Sequence, residues 1–593
     1  MPSENFYLDN DDLRFQMEHR VNWEGVLRSR EDFSSDDCPY ESAEEAVETF
    51  LDMLADPIGA LAAQRIAPRA AEIDVQGCRL EDGRVILPQG MEQNLRDLSD
   101  ADLMGLSLPR RYDGLGFPTT VYTAATEIIS RADASLMNLF GLQGIAETIA
   151  HFGDDELRAS YIPRFASGEY TGAMVLTEPD AGSDLMAVRT QAYEAEGAGG
   201  WRVRGAKRFI TNGCGDVLLV LARSEDPARF AGARGLSLFL VERSDRVQVR
   251  RLEEKMGIHG SPTCELYFDD APAHLIGRRG RGLTQYVNWL MNAARLGVAA
   301  QGLGVIEAAY REALQYACER EQFGRKIYAF PPVAEMLIEI KATLEAMRAL
   351  VYRTAEAVDI YEGLNSRLEG MQRNESGYSD LRRKRDAYGQ TAELLTPIAK
   401  YYTSEAAIRL TNLALQVHGG NGYMKDYLIE RLYRDARITS IYEGTSQMQI
   451  DRAMSKIARG EMSRILEQKS SRMFQDERLS GLNRRLQETH ALFKQSLDKV
   501  LSRAQGQTDA APDEPGFRSL MARRLVDMGA ETYMGYLLLE DAELKESKIP
   551  VAEHFICEAA AKARMHAFAI QEGSTVPLAD LQAVLFASRE TTV

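Results

Sequence analysis

Apolar and polar positions divide this 593-residue chain into helical, then strand-like, then again helical stretches. Up to about residue 170 the apolar residues recur at helical spacing. Residues 42–63 are rich in Ala, Glu and Leu, and 119–131 and 136–152 each read as a helix, with Gly153 as the C-cap of the latter. The character changes near Thr171. The runs 217–222 (VLLVLA) and 236–241 (LSLFLV), bounded by Gly, Asp or Ser, and the shorter 264–268 (CELYF) predict buried strands. Helices return after Gly282. Val333, Leu337, Ile340, Leu344, Met347 and Val351 recur in alternating steps of four and three, the seam of a long bundle helix, and Ile306, Ala309, Ala313, Ala317 and Arg320 share one face of the helix before it. A third helix is expected from about Pro397, acceptable in a first turn, to Val417, with the polar stretch 365–386 an exposed insertion between helices. Beyond about 465 the pattern is helical again. The Gly-, Pro- and Asp-rich stretch 505–516 reads as a loop, followed by helices near 517–546 and 550–572.

These shifts predict an α+β chain, mainly α, with an N-terminal helical domain (1–170), a β domain (171–275), a helical bundle (276–464) and a helical C-terminal extension (465–593). The length allows roughly three to five domains at roughly 100–200 residues each. The formal net charge of -18 disfavours nucleic acid and anionic lipid as general partners, while leaving room for a local cationic pocket. Six scattered cysteines and eight dispersed histidines, with no Cys-x-x-Cys or His-Glu-x-x-His, argue against a catalytic metal and for thiols in a reducing compartment. No signal-peptide run, no 18-residue apolar stretch and no terminal Ser-Lys-Leu are present, so a cytoplasmic protein without a transmembrane segment is expected.

Four short segments carry candidate chemistry. LTEPDAGSD (176–184) is on its own a turn, and FITNG (209–213) a strand end with an Asn-Gly turn. QVHGGNGY (416–423) reads as a helix end whose glycines permit close backbone approach to a ligand. IYEGTSQ (441–447) holds a loop glutamate that alone would pass as a solvated carboxylate. Taken together, in this order and with Arg-x-x-Phe-Gly at 320–324, they resemble the acyl-CoA dehydrogenase family over about residues 60–460.

That resemblance implies a middle β-barrel or sandwich, a C-terminal four-helix bundle, FAD as cofactor and dehydrogenation of an acyl-CoA thioester to the trans-2-enoyl-CoA. It further implies electron-transfer flavoprotein as acceptor and a homodimer or dimer of dimers. Leu176, Thr177, Phe209 and Thr211 match positions against the flavin ring; Phe209 stands where Trp is common and lacks the indole donor. Arg320, Phe323, Gln416, Gly419 and Gly420 match positions that reach the adenine half of FAD from a neighbouring subunit, and Thr445 and Gln447 match further cofactor contacts. Ser183, Arg295 and Gly444 match substrate-side positions, Arg295 having an intra-bundle ion pair as its alternative reading. Glu443 matches the base that takes the α-proton, its backbone N–H helping to bind the thioester oxygen. Some members carry the base one residue before the arginine that matches Arg295; here that residue is Ala294, which leaves Glu443.

Two features depart from the usual pattern. Phe330-Pro331-Pro332 stands where a cofactor-binding Gln is usual, and the chain runs well past the usual catalytic core. Extended members it is similar to include 3-methylmercaptopropionyl-CoA and very-long-chain dehydrogenases, the former the nearer through 291–296 (MNAARL) and its helical appendix. An acyl-CoA oxidase and a flavin-fold binding protein are the rival readings. The stretch 277–282 (GRRGRG) lacks a Gly-Lys-Ser/Thr ending and reads as an exposed turn, not a phosphate loop.

Overall fold

The computed structural model describes residues 3–35, 37–141, 143–195, 200–504 and 516–573, together with Leu585. It is mainly helical around one β layer. The apolar runs become Val217–Arg223 and Leu236–Glu242, paired antiparallel with almost every side chain buried. Val217–Arg223 also pairs in parallel with Gly172–Val175, while Leu236–Glu242 pairs with Thr263–Ile276, which pairs in turn with Trp201–Thr211 and Val247–Leu252. Gln191–Glu194 links Trp201–Thr211 back to Val217–Arg223, closing a barrel-like circuit. A closed circuit buries its inner face and leaves few free edges.

Trp201–Thr211 (WRVRGAKRFIT) is the strand that sequence pattern hides, because its cations interrupt the apolar alternation. Gln191–Glu194, Val247–Leu252 and the small hairpin Arg79–Glu81/Arg84–Ile86 are likewise too short or too charged to announce themselves.

The bundle consists of three long helices, Asn288–Glu319, Pro331–Glu369 and Tyr378–His418, and the shorter Ser446–Ile457. The seam residues Leu337, Ile340, Leu344, Met347 and Val351 are buried, with Val333 half-buried at its start. Two expectations are corrected here. The third long helix does not begin near Pro397: it starts at Tyr378 and carries Pro397 in its interior. The residues flanking Pro397, from Leu394 to Ala399, are buried, and that packing outweighs the one backbone bond a proline removes. The polar stretch 365–386 is therefore mostly helix, with a turn at 370–377 that the chain leaves through Gly377 at φ 86°. In the N-terminal region, 136–152 is two helices, Ala134–Phe140 and Gln143–Phe152, while Thr119–Ala132 forms much as expected.

Glu477–Ala504, Phe517–Leu544 and Ile549–Glu572 pack on one another, and the last two also pack on Pro331–Glu369. The expected loop at 505–516 lies outside the described residues except for Gly516. No helix among the described residues is long and apolar enough to cross a membrane.

Candidate active site

The candidate residues gather in three places. At the first, the segment after Gly172–Val175 is tied to the end of Trp201–Thr211. Glu178 accepts from the backbone N–H groups of Arg189 (2.8 Å) and Thr190 (2.9 Å) and pairs with fully buried Lys207 at 2.9 Å. Lys207 Nζ also donates to the Leu176 carbonyl (2.8 Å), and the Arg208 N–H donates to the Thr177 carbonyl (3.0 Å). Between Lys207 and Ile210 the strand slips register against its neighbour, and Phe209 takes φ 60°. This bulge leaves an aromatic ring at 54% exposure, with the Arg208 guanidinium 4.7 Å from its centre; Leu176 is buried, and Thr177 and Thr211 are half-buried. Asn212 then closes the segment by donating to the Gly172 carbonyl at 3.0 Å. Ser183 lies exposed on the intervening loop, where Asp184 accepts from the Met186 N–H.

The second place is the hairpin after Asn288–Glu319. Arg320 ends that helix, and Glu321–Gln322 pairs with Arg325–Lys326 around Phe323 (φ 51°) and Gly324 (φ 76°). Such a two-residue turn needs both positions left-handed, and it leaves Phe323 at 93% exposure. Beside it the helix Tyr378–His418 ends at Gly419 (φ 59°). The rings of Tyr316 and His418 stack at 4.5 Å, and Asn421 Nδ2 donates to the hydroxyls of Tyr316 (3.0 Å) and Tyr427 (3.1 Å). These contacts bring the hairpin and 416–423 together. Arg320, Phe323, Gln416, Gly419 and Gly420 are all exposed, and a Cβ placed at Gly419, Gly420 or Gly324 would meet open space.

The third is the loop 441–445, which leads into Ser446–Ile457 with Thr445 as N-cap. Glu443 is held at φ 57° and Gly444 at φ 89°. Gln449 Nε2 donates to both carbonyls at 3.1 Å, and Lys400 Nζ donates to that of Gly444 at 2.8 Å. Tyr442 is anchored to Gln301 and Asn138. Burial pushes the Glu443 carboxyl up to about 7 against the downward pull of Lys400 and Arg295, and its Oε2 atom is buried without a hydrogen-bond partner. Arg295 is buried too and donates to Asn292 Oδ1 at 2.5 Å; among the described residues its Nε has no hydrogen-bond partner and it makes no ion pair. Burial lowers its guanidinium, and neighbouring Arg452 lowers it further, yet an arginine stays cationic at neutral pH. Gln447 is exposed and bonds Asp451 at 3.0 Å.

Three family models cover most of the chain: "Acyl-CoA dehydrogenase, N-terminal domain" over 50–169, "middle domain" over 173–271 and "C-terminal domain" over 280–366 and 381–458. The chain belongs to the acyl-CoA dehydrogenase family. The family's C-terminal model skips 367–380, where the second and third long helices of the bundle, Pro331–Glu369 and Tyr378–His418, meet at their turn. The chain is 32% identical over 591 residues to the 3-methylmercaptopropionyl-CoA dehydrogenase of Ruegeria pomeroyi, covering 92% of this chain and 94% of that one. In fold it is similar to ACDH-11 of Caenorhabditis elegans (TM-score 0.75, 21% identity, 94% of this chain and 92% of that one). It is also similar in fold to an acyl-CoA dehydrogenase from Bacillus anthracis solved with FAD (TM-score 0.71, 22% identity, 93% and 92%). These shares are too large to stop short of the C-terminal helices.

The residues present fit FAD, the cofactor of this oxidoreductase family. An outward aromatic ring on a bulge, an arginine and a glutamine beside glycines that leave space, and a buried carboxylate oxygen without a partner are what a flat ring with a phosphorylated tail and an adjacent reacting carbon require. Sequence reading missed Lys400, Gln449, Gln301 and Asn138. Lys400 was detectable: with Ser404, Ala407 and Thr411 it forms a helical stripe that is wholly buried, an unusual place for a lysine.

Proposed function

We propose that this acyl-CoA dehydrogenase converts an acyl-CoA thioester to its trans-2-enoyl-CoA, with Glu443 removing the α-proton. The observation that carries the reading is the state of Glu443: a carboxylate in a desolvated site, shifted to about 7, with one oxygen free of any partner. A base so shifted lies nearer the proton it must accept than an ordinary carboxylate does, and about half of it is ionised in neutral solution. The left-handed Glu443–Gly444 turn presents backbone to the site, and the Glu443 N–H is the donor assigned to the thioester oxygen, where charge develops as the proton leaves.

Leu176, Thr177, Phe209 and Thr211 would hold the flavin ring. Arg320, Phe323, Gln416, Gly419 and Gly420 would hold the adenine half across a homodimer boundary, a role that suits their exposure in one protomer, with Thr445 and Gln447 as further contacts. When bound, FAD accepts the hydride equivalent from the β-carbon. Ser183 and Arg295 would meet the CoA pantetheine and nucleotide, Arg295 supplying a buried cation, and Gly444 would complete the substrate contacts. Electron-transfer flavoprotein is the proposed acceptor. The relative from Ruegeria suggests a short sulfur-containing acyl group as the first substrate to test.

The test is product analysis. Purified holoenzyme with acyl-CoA and an artificial electron acceptor should yield an enoyl-CoA lighter by two hydrogens, with no hydrogen peroxide. Peroxide formed in step with product would make the protein an oxidase, and no enoyl-CoA from any acyl-CoA would sink the proposal.

A further inference from the structure

Lys400 has no part in the chemistry above, yet it lies beside its central residue. It is fully buried (0% exposed) in the helix Tyr378–His418, and its ammonium donates to the Gly444 carbonyl at 2.8 Å. That carbonyl also accepts from Gln449 Nε2 at 3.1 Å, so donors from two helices grip the same atom. The grip falls on a pair of successive left-handed residues, one of them a glutamate, a conformation that persists only when its surroundings impose it. Burial lowers the lysine to about 8, and Glu443 acts in the opposite direction, favouring its charged form.

The other charged groups around the pair are few. Arg295 reaches it from Asn288–Glu319 and acts on both residues, and Glu405 acts on Lys400 from one turn along its own helix. Arg452, on Ser446–Ile457, acts on Arg295, and the Tyr442 hydroxyl next to Glu443 is pushed up, mainly by burial, and stays neutral.

We infer that Lys400 is a positioning residue for Glu443: it clamps the Gly444 carbonyl to fix the loop, and it supplies the opposite charge that lets an apolar pocket hold a carboxylate. The inference rests on Glu443 being the base. Its two parts are separable, because a glutamine at this position keeps a donor for the carbonyl and loses the charge, whereas an arginine keeps the charge.

The experiment uses full-length holoenzyme carrying Lys400→Gln, Lys400→Met or Lys400→Arg. The rate of anaerobic flavin bleaching by acyl-CoA is followed against pH. The Glu443 carboxyl is also titrated by infrared difference spectroscopy without substrate, its band assigned by its absence in Glu443→Gln. Removing a nearby opposite charge raises a carboxyl, so the acidic limb and the infrared midpoint should both move up by roughly one unit or more in Lys400→Gln and Lys400→Met. Lys400→Arg should stay near the parent. A midpoint that does not move in folded Lys400→Gln overturns the inference, whatever happens to the rate, because a purely structural clamp would slow the reaction without moving a titration. If Lys400→Met fails to fold, Lys400→Gln still decides. The infrared midpoint reports the influence of the Lys400 charge on Glu443 even if Glu443→Gln still bleaches the flavin, a result that would sink the base assignment instead.

Discussion

A carboxylate and a glycine form the turn at which the proposed proton transfer is placed. With Glu443 shifted to about 7 and required in its ionised form, flavin reduction by acyl-CoA should rise with pH through about 7, because protonation below that point removes the base. A stopped-flow pH profile checks this; a rate flat from acid to neutral pH would mean that another group takes the proton. Gly444 is constrained twice, by φ 89° and by Gln449 Nε2, which stands 2.5 Å from where a Cβ would be. Gly444→Ala should therefore lose roughly tenfold or more in flavin-reduction rate, since a shift of about 1 Å in a reacting group is enough to cost that much. FAD absorbance separates this effect from cofactor loss. Glu443 and Gly444 become candidates only through the order of motifs along the chain; nothing local in IYEGTSQ marks a carboxylate with a buried oxygen. Phe209 was legible as an aromatic strand end, but the bulge that turns it outward is a matter of register with Thr263–Ile276, which one strand's own sequence does not encode. Arg295 was read with an ion pair as its alternative, and burial beside Asn292 replaces that pair with a single amide contact.

At the scale of elements, helix packing depends on close backbone approach. Gly304, in Asn288–Glu319, faces the backbone of Thr119–Ala132, where an added Cβ would stand 2.6 Å from the Arg131 nitrogen and 2.7 Å from the Ser130 Cβ. Backbone cannot move aside as a side-chain tip can, so Gly304→Ala should destabilise the protein by about 1–3 kcal/mol, read as a lowered Tm. An unchanged Tm would mean that the two helices slide apart at little cost. The apolar seam of Pro331–Glu369 was plain in the sequence because it keeps helical steps, and the two buried strands because each is a short, nearly unbroken apolar run between turn residues. Tyr378–His418 was not, since its first turns are polar and a proline sits at its middle; only its burial against the neighbouring long helices shows why it continues. Trp201–Thr211 was hidden for the opposite reason: its charged positions are paired, as in Lys207–Glu178 and Arg208–Glu253, and pairing is a tertiary fact.

Across the whole molecule, buried charges join the N-terminal arm, the bundle and the C-terminal helices. Arg348, 1% exposed, bonds Asp12 (2.5 Å), Glu127 (2.9 Å) and Glu307 (2.7 Å), and Lys548 bridges Asp12 and Glu345 from the extension. Gln16 and Arg20 reach Asp541 and Glu540 in the same way. The extension is thus continuous with the bundle's interior. Arg348→Met leaves three buried carboxylates without their shared cation and should cost about 3–5 kcal/mol of stability, measured by denaturant or thermal unfolding. A loss under about 1 kcal/mol would mean that water or protonation compensates at the site. The order of helices, strands, helices and a helical appendix was legible from pattern alone, while this network was not, because its members lie hundreds of residues apart and read singly as surface charges.

The most direct measurement mixes the oxidised holoenzyme anaerobically with short, medium, long and sulfur-containing acyl-CoAs and watches the flavin absorbance, beside Glu443→Gln under the same conditions. Rapid bleaching by at least one class, abolished in Glu443→Gln while FAD stays bound, is the predicted result. Bleaching that survives in Glu443→Gln, or a flavin that no acyl-CoA bleaches in the parent protein, would contradict Glu443 as the base of an acyl-CoA dehydrogenation.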